Sequence, residues 1–302
     1  MSWLFFIIAS VVFVAISNIL QRTILKDTKE ANTFAYTILF QFGFAFTILL
    51  VLLLTGGVSV SGIFTGLSTK TLLLILVSAV LWAVSVVYKF KAVHIIEASV
   101  LAVLTPLENI IIVILGVLLL HEVITIKTLF GMSLILFAVF LVIFADVNIK
   151  FNFKRLKNVS IKGIVFALIS LVGAGVAVVV DAMVLQTFPV LLYLFISSFL
   201  SSVLMLTFGK NAYNLQQIKS LFSSKGFYKM YLFVMFYVLQ AIFYYQAFKV
   251  GGPISYISII SDFSIILTVI FAIIFLKERK FLLRKLLAGI ISVLGIILLA
   301  GG

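Results

Sequence analysis

The chain has 302 residues, of which 64% are hydrophobic and only 10% charged, where a soluble domain carries about 25% charged residues. A soluble fold of this size cannot hide so much apolar surface, so the solvent for most of the chain is lipid. The formal charge of +13, from 22 Lys+Arg and 9 Asp+Glu, would point to nucleic acid in a soluble protein; here it belongs in loops on one side of a bilayer.

Ten apolar stretches can each span a bilayer, at 3–21, 34–55, 71–90, 98–120, 128–145, 163–183, 188–208, 228–248, 254–276 and 286–300, since a span needs about 20 mostly apolar residues. The first lacks a basic n-region and a small-residue cleavage site, so it reads as a spanning helix rather than a removed signal peptide. Between the second and third, residues 55–70 are rich in Gly, Ser and Thr and read as a flexible outer loop. After the seventh, residues 209–227 place Leu215, Ile218, Leu221 and Phe222 among Gln and Lys. That spacing suits an interfacial helix, with an ordinary solvated loop as the alternative. All ten stretches are continuous apolar runs, which excludes the alternation of barrel strands and leaves helices. The expected fold is an all-α membrane protein of ten transmembrane helices.

The basic residues orient these spans. Nineteen of the 22 fall in the loops after odd-numbered spans: Arg22 to Lys29, Lys89 and Lys91, Lys150 to Lys162, Lys210 to Lys229, and Lys277 to Lys285. Only Lys70, Lys127 and Lys249 fall on the other side. The asymmetry places the odd-to-even loops in the cytoplasm and both termini outside a cell membrane.

The two halves repeat. Shifting residues 88–122 by 156 overlays them on 244–278 without a gap, with Tyr88/Tyr244, Ser99/Ser255 and Glu122/Glu278 identical. The first spans align more weakly at a shift of 160, through Ser10/Ser170. Five spans per unit is an odd number, so the second unit enters the membrane from the opposite face, as in many secondary transporters. The expected organisation is two inverted five-helix repeats at 1–148 and 158–302, joined by a basic linker at 149–157.

These residues also carry a resemblance. Tyr-Tyr-Gln-Ala-Phe-Lys at 244–249, Phe-Leu-Lys-Glu-Arg at 275–279, Lys-Ala-Val at 91–93, Leu-Leu-His-Glu at 119–122 and Gly131 in a closing helix resemble the EamA-type family of the drug/metabolite transporter superfamily. The resemblance implies a carrier, outward in many relatives, of small metabolites, amino acids or drugs.

Charged groups inside hydrocarbon cost about 2.5–3.5 kcal/mol on insertion scales, so each calls for a reason. Glu108 and Asp262 lie at similar depths, about ten and nine residues into equivalent spans of opposite halves, and are expected to meet in a central cavity. There they either bind a cationic group or a proton, or pack the halves together as hydrogen-bonded carboxyls. Asp181 is a further candidate for binding substrate or a proton, expected near the outer end of its span, within reach of water. Gln240 and Gln246 are candidate substrate contacts, although buried amides more often join helices. Trp82, Tyr88, Tyr244 and Tyr256 are candidate pocket aromatics, with an interfacial belt as the alternative. Pro106 is expected to kink the fourth span beside Glu108. Ala167, Ser170, Gly173, Ala174 and Ala177 form a small-residue face for close helix packing. Lys89, Lys91, His94 and Glu97 crowd an inner turn that reads as a gate or a solvated turn, and Glu122 and Glu278 read as structural caps of the turn that follows each.

The rival classes lack their motifs. His121-Glu122 begins a zinc-peptidase pattern, but Thr125 stands where the second His is required, and the chain has only two histidines. There is no cysteine, hence no disulfide, thiolate metal site or Cys nucleophile. No Gly-x-Ser-x-Gly elbow, P-loop or carbonyl-filter sequence occurs. A non-enzymatic secondary transporter without cofactor or metal is the leading reading, ahead of a lipid flippase and an intramembrane enzyme. Its expected partners are a small-molecule substrate, protons and the bilayer, not nucleic acid, with the chain a monomer or homodimer.

Overall fold

The structure, a computed structural model, describes residues 3–27, 33–55, 68–93, 95, 104, 106–146, 161–208, 224–275 and 282–300. Eleven helices and no strand lie among the described residues. In the first half they are α1 (Trp3–Asp27), α2 (Thr33–Thr55), α3 (Thr69–Val93), α4 (Pro106–Leu120) and α5 (Ile126–Asp146). In the second they are α6 (Ile161–Leu185), α7 (Val190–Phe208), α8 (Ser224–Lys249), α9 (Ile254–Ser261), α10 (Phe263–Phe275) and α11 (Leu282–Ala300). The expected linker at 149–157, most of the loops at 55–70 and 209–227, and His94, Glu97 and Glu278 lie outside the described residues. So do residues 96–103 and 105, before the Pro106 at which a kink is expected.

Six helices are long and apolar enough to cross a membrane: α1, α2, α3, α6, α7 and α8. The four other apolar segments are shorter, such as Leu107–Leu120 and Leu287–Leu299. At 1.5 Å rise, the 15 residues of α4 reach about 22 Å, against about 30 Å of hydrocarbon. Large apolar side chains face outward, with Leu53 70% and Leu54 85% exposed, as a lipid-facing surface requires and a water-facing one penalises. The chain is a multi-pass membrane protein.

The packing repeats when the halves are exchanged. α1 packs on α8 and α3 on α6; α1 also packs on α9 and α10, and α4 on α6; α2 meets α7, and α5 meets α11. Each pairing maps onto another, or onto itself, when the first helix of one half is swapped for the first of the other. The serines aligned by the weak sequence match occupy corresponding joints. Ser10 Oγ donates to the Gln240 carbonyl on α8 (3.0 Å), and the Ser170 carbonyl accepts from Ser85 Oγ on α3 (2.8 Å).

Equivalent helices run antiparallel where they meet. Along α5 and α11, Gly131 lies against Gly295, while seven residues later on one helix and earlier on the other Ala138 packs with Ala288. A Cβ on Gly295 would sit 2.8 Å from the Gly131 carbonyl oxygen, so this crossing depends on bare backbone approach, the usual means of close packing in lipid. The small-residue face expected on α6 serves the same purpose. Ala167 and Ala177 are fully buried, and a Cβ on Gly173 would rest 3.4 Å from Ser85 of α3.

The ninth expected span is not one helix. It breaks at Asp262 into α9 and α10. Ser261 Oγ donates to the Ser258 carbonyl (2.6 Å), the acceptor that the Asp262 N–H would use in a continuous helix. That N–H turns to Ile259 O instead (3.2 Å), and Ile265 N–H bonds Asp262 O (2.9 Å). A serine hydroxyl competing with the backbone ladder is a recognised cause of helix bending.

Candidate functional site

α4 and α9 carry the site. They run antiparallel, with Gly116 against Ser255 at one end and Asn109 Nδ2 donating to Asp262 Oδ2 at the other. The two contacts are seven residues apart on each helix, or about 10.5 Å at helical rise. At the break, where Asp262 N–H bonds Ile259 O in place of the regular ladder acceptor, its side chain accepts from Asn109 of α4. α6 can approach because Gly175 has no side chain: a Cβ there would meet the Glu108 carbonyl oxygen at 3.1 Å and Ile111 Cγ2 at 3.0 Å.

Between these helices lies a cavity of about 90 Å³ lined by Glu108, Asn109, Ile112, Val178, Tyr244, Ser258, Ser261 and Asp262. Two carboxylates, an amide and three hydroxyls face six-eighths of the lining, an unusual concentration inside hydrocarbon, where such groups mark binding sites and ion paths. Asp262 is held by Asn109, and Tyr244 Oη pairs with Ser258 Oγ at 2.8 Å. Glu108 has no hydrogen bond among the described residues. The volume holds about three waters at ~30 Å³ each, against about 300–1,000 Å³ in sites for drug-sized molecules.

The expected meeting of Glu108 and Asp262 is therefore present, and Tyr244 lines the same cavity. The other sequence candidates stand elsewhere. Asp181 is 0% exposed, which corrects the expectation of access to water. Its Oδ1 accepts from Ser78 and Tyr193, and its Oδ2 from Trp82 Nε1 (3.0 Å) and Tyr245 Oη (2.5 Å). Three helices thus converge on the carboxylate of a fourth because their polar side chains have no water to turn to. Trp82 belongs to that network and not to the cavity. Tyr256 donates to the Val123 carbonyl (3.2 Å) and meets the Trp3 ring edge-on at 6.3 Å, so it joins helix ends. Tyr88 packs on Phe166 at 5.4 Å under the Lys91 ammonium, unlike its repeat partner Tyr244. Gln240 and Gln246 are half-buried and outside the cavity lining.

Ser258 and Ser261 were missed from sequence. A signal existed: Ser255, Ser258 and Asp262 follow i, i+3, i+7 spacing and fall on one helical face.

The model of the EamA-like transporter family matches residues 1–144 and 161–301. A solved structure titled "Crystal structure of protein" shares the fold at a TM-score of 0.72, covering 97% of this chain and 94% of that one with 12% sequence identity. Comparison with curated proteins gives no match.

Proposed function

Because this chain belongs to the EamA-like transporter family, we propose that it is a secondary transporter that exports a small organic metabolite, amino acid or drug by alternating access. The two halves form inverted repeats of five spans each, ten in all, and the substrate passes between them. Glu108 and Asp262 bind a cationic group of the cargo or a coupling proton, while Asp181 and its partners hold the bundle together.

One observation carries this reading. The antiparallel meeting of equivalent helices α4 and α9 brings a carboxylate from each half to a single cavity. Related helices of opposite direction supply two mirror-related ways of opening the same site, and a broken helix at the midplane is a common way to build it. Asn109 supplies a donor to Asp262, whereas Glu108 takes no hydrogen bond from another described residue. The small volume corresponds to a closed conformation that widens to admit cargo.

The test is counterflow in proteoliposomes, with amino acids, nucleosides and organic cations as unlabelled cargo. Accelerated uptake of labelled cargo that depends on Glu108 and Asp262 supports a carrier. Chemical conversion of the cargo by purified protein, without exchange, would replace it with an enzyme.

A further inference from the structure

At the far end of α4 another carboxylate crosses between the halves. Glu122 Oε1 accepts the Ile254 backbone N–H at 2.5 Å, and Oε2 accepts the Ser255 N–H at 3.2 Å and the Ser255 hydroxyl. The N–H groups in the first turn of a helix have no acceptor within that helix, and the helix dipole favours negative charge beside them. The N-cap of α9 is Pro253, which makes no side-chain cap. The cap comes instead from Glu122, 132 positions before Ile254, so Glu122 caps a helix of the opposite half and not the turn that follows it, as the sequence suggested.

The surroundings are shaped for this contact. His121 takes a left-handed φ of 55°, a conformation with a cost for a non-glycine residue, and turns the chain back after α4. A Cβ on Gly116 would lie 2.6 Å from Ser255 Oγ and 2.7 Å from Glu122 Oε2. Beside it, Tyr256 bonds the Val123 carbonyl and Trp3 of α1 rests on Tyr256. α1, α4 and α9 are therefore joined at one end of the bundle.

This joint and the cavity share their helices. Ser258 lies one turn beyond Ser255, and Ile112 one turn before Gly116, and both line the cavity. Parting the end of α4 from the start of α9 would open the cavity toward this end and would break every Glu122 bond to α9. Contacts made in one state and lost in the other bias the equilibrium between them.

We propose that Glu122 is a latch that holds this end of the carrier shut and sets the balance between its two openings. The proposal rests on the alternating-access reading above. Because the chain has no cysteine, Val178→Cys gives a single thiol in the cavity. Its modification by a membrane-impermeant thiol reagent, added to one side of reconstituted protein at a time, reports each opening. Glu122→Gln is expected to raise the rate from the Glu122 side about tenfold and to lower it from the other, the scale of one lost charge-assisted hydrogen bond. Ser255→Ala, which removes only the hydroxyl contact and keeps both backbone N–H bonds to Glu122, is expected to move the ratio in the same direction by less. A ratio unchanged in both variants overturns the latch alone, as does an equal rise from both sides, which marks a loosened fold. Modification from one side only, in the parent and every variant, overturns alternating access and the latch with it.

Discussion

Replacing Asp181 separates a structural carboxylate from a transporting one. Four donors converge on it, from Ser78, Trp82, Tyr193 and Tyr245, at a position with no solvent exposure. In Asp181→Ala the Ser78 and Tyr193 hydroxyls, already 2.8 Å apart, still satisfy one another. Trp82 Nε1 and Tyr245 Oη are left without an acceptor. At about 1–3 kcal/mol for each stranded group, the loss is about 2–6 kcal/mol. Asp181→Asn behaves differently. The indole N–H can only donate, so the amide oxygen must face Trp82 and Tyr245, and its NH₂ must face the two hydroxyls, which accept as readily as they donate. Every group keeps a partner, and stability stays within about 1 kcal/mol of the parent, since a buried charge also disappears. Reversible unfolding in mixed detergent micelles measures both variants. An Ala variant as stable as the parent, or an Asn variant as damaged as the Ala one, would refute the argument.

Ser261→Ala releases the Ser258 carbonyl to the Asp262 N–H and restores a continuous helix; the expected outcome is equal or higher thermal stability with reduced transport, read by melting and by uptake. Gly295→Ala places a Cβ 2.8 Å from the Gly131 carbonyl oxygen, a backbone atom that moves only with its helix, so α5 and α11 must separate at a cost of about 1–3 kcal/mol in the same unfolding assay. A tag at residue 302 is expected to react from outside intact cells, as the charge asymmetry requires; reaction only after permeabilisation would reverse the orientation.

Much of this arrangement is legible in the sequence because lipid permits few solutions. Continuous apolar runs can only be helices, and the fixed shift of 156 that aligns Tyr88 with Tyr244 also sets Glu108 near Asp262. What escaped depends on contacts between distant segments. The break at Asp262 arises from one serine hydroxyl taking one carbonyl, and Ile-Ile-Ser-Asp-Phe-Ser reads otherwise as uninterrupted helix. Asp181 looked reachable by water because depth along a helix says nothing of which neighbours cover it; its four partners come from three other helices. Glu122 read as a local cap since its acceptor role lies with residues of the opposite half. Trp82 and Tyr256 read as pocket aromatics, but residue type and position along a span do not separate a pocket wall from a joint.

The central claim is that Glu108 and Asp262 together handle the cargo or its coupling proton. The measurement is counterflow by the Glu108→Gln/Asp262→Asn double variant beside the parent, in the same vesicles and with the melting curve of each. Both substitutions keep volume and most hydrogen bonding and remove only charge, and losing buried charge leaves the bundle as stable or more so. The account predicts abolished counterflow with an undiminished melting temperature. Counterflow at the parent's rate from the doubly neutral protein would contradict it and reduce both residues to packing between the halves.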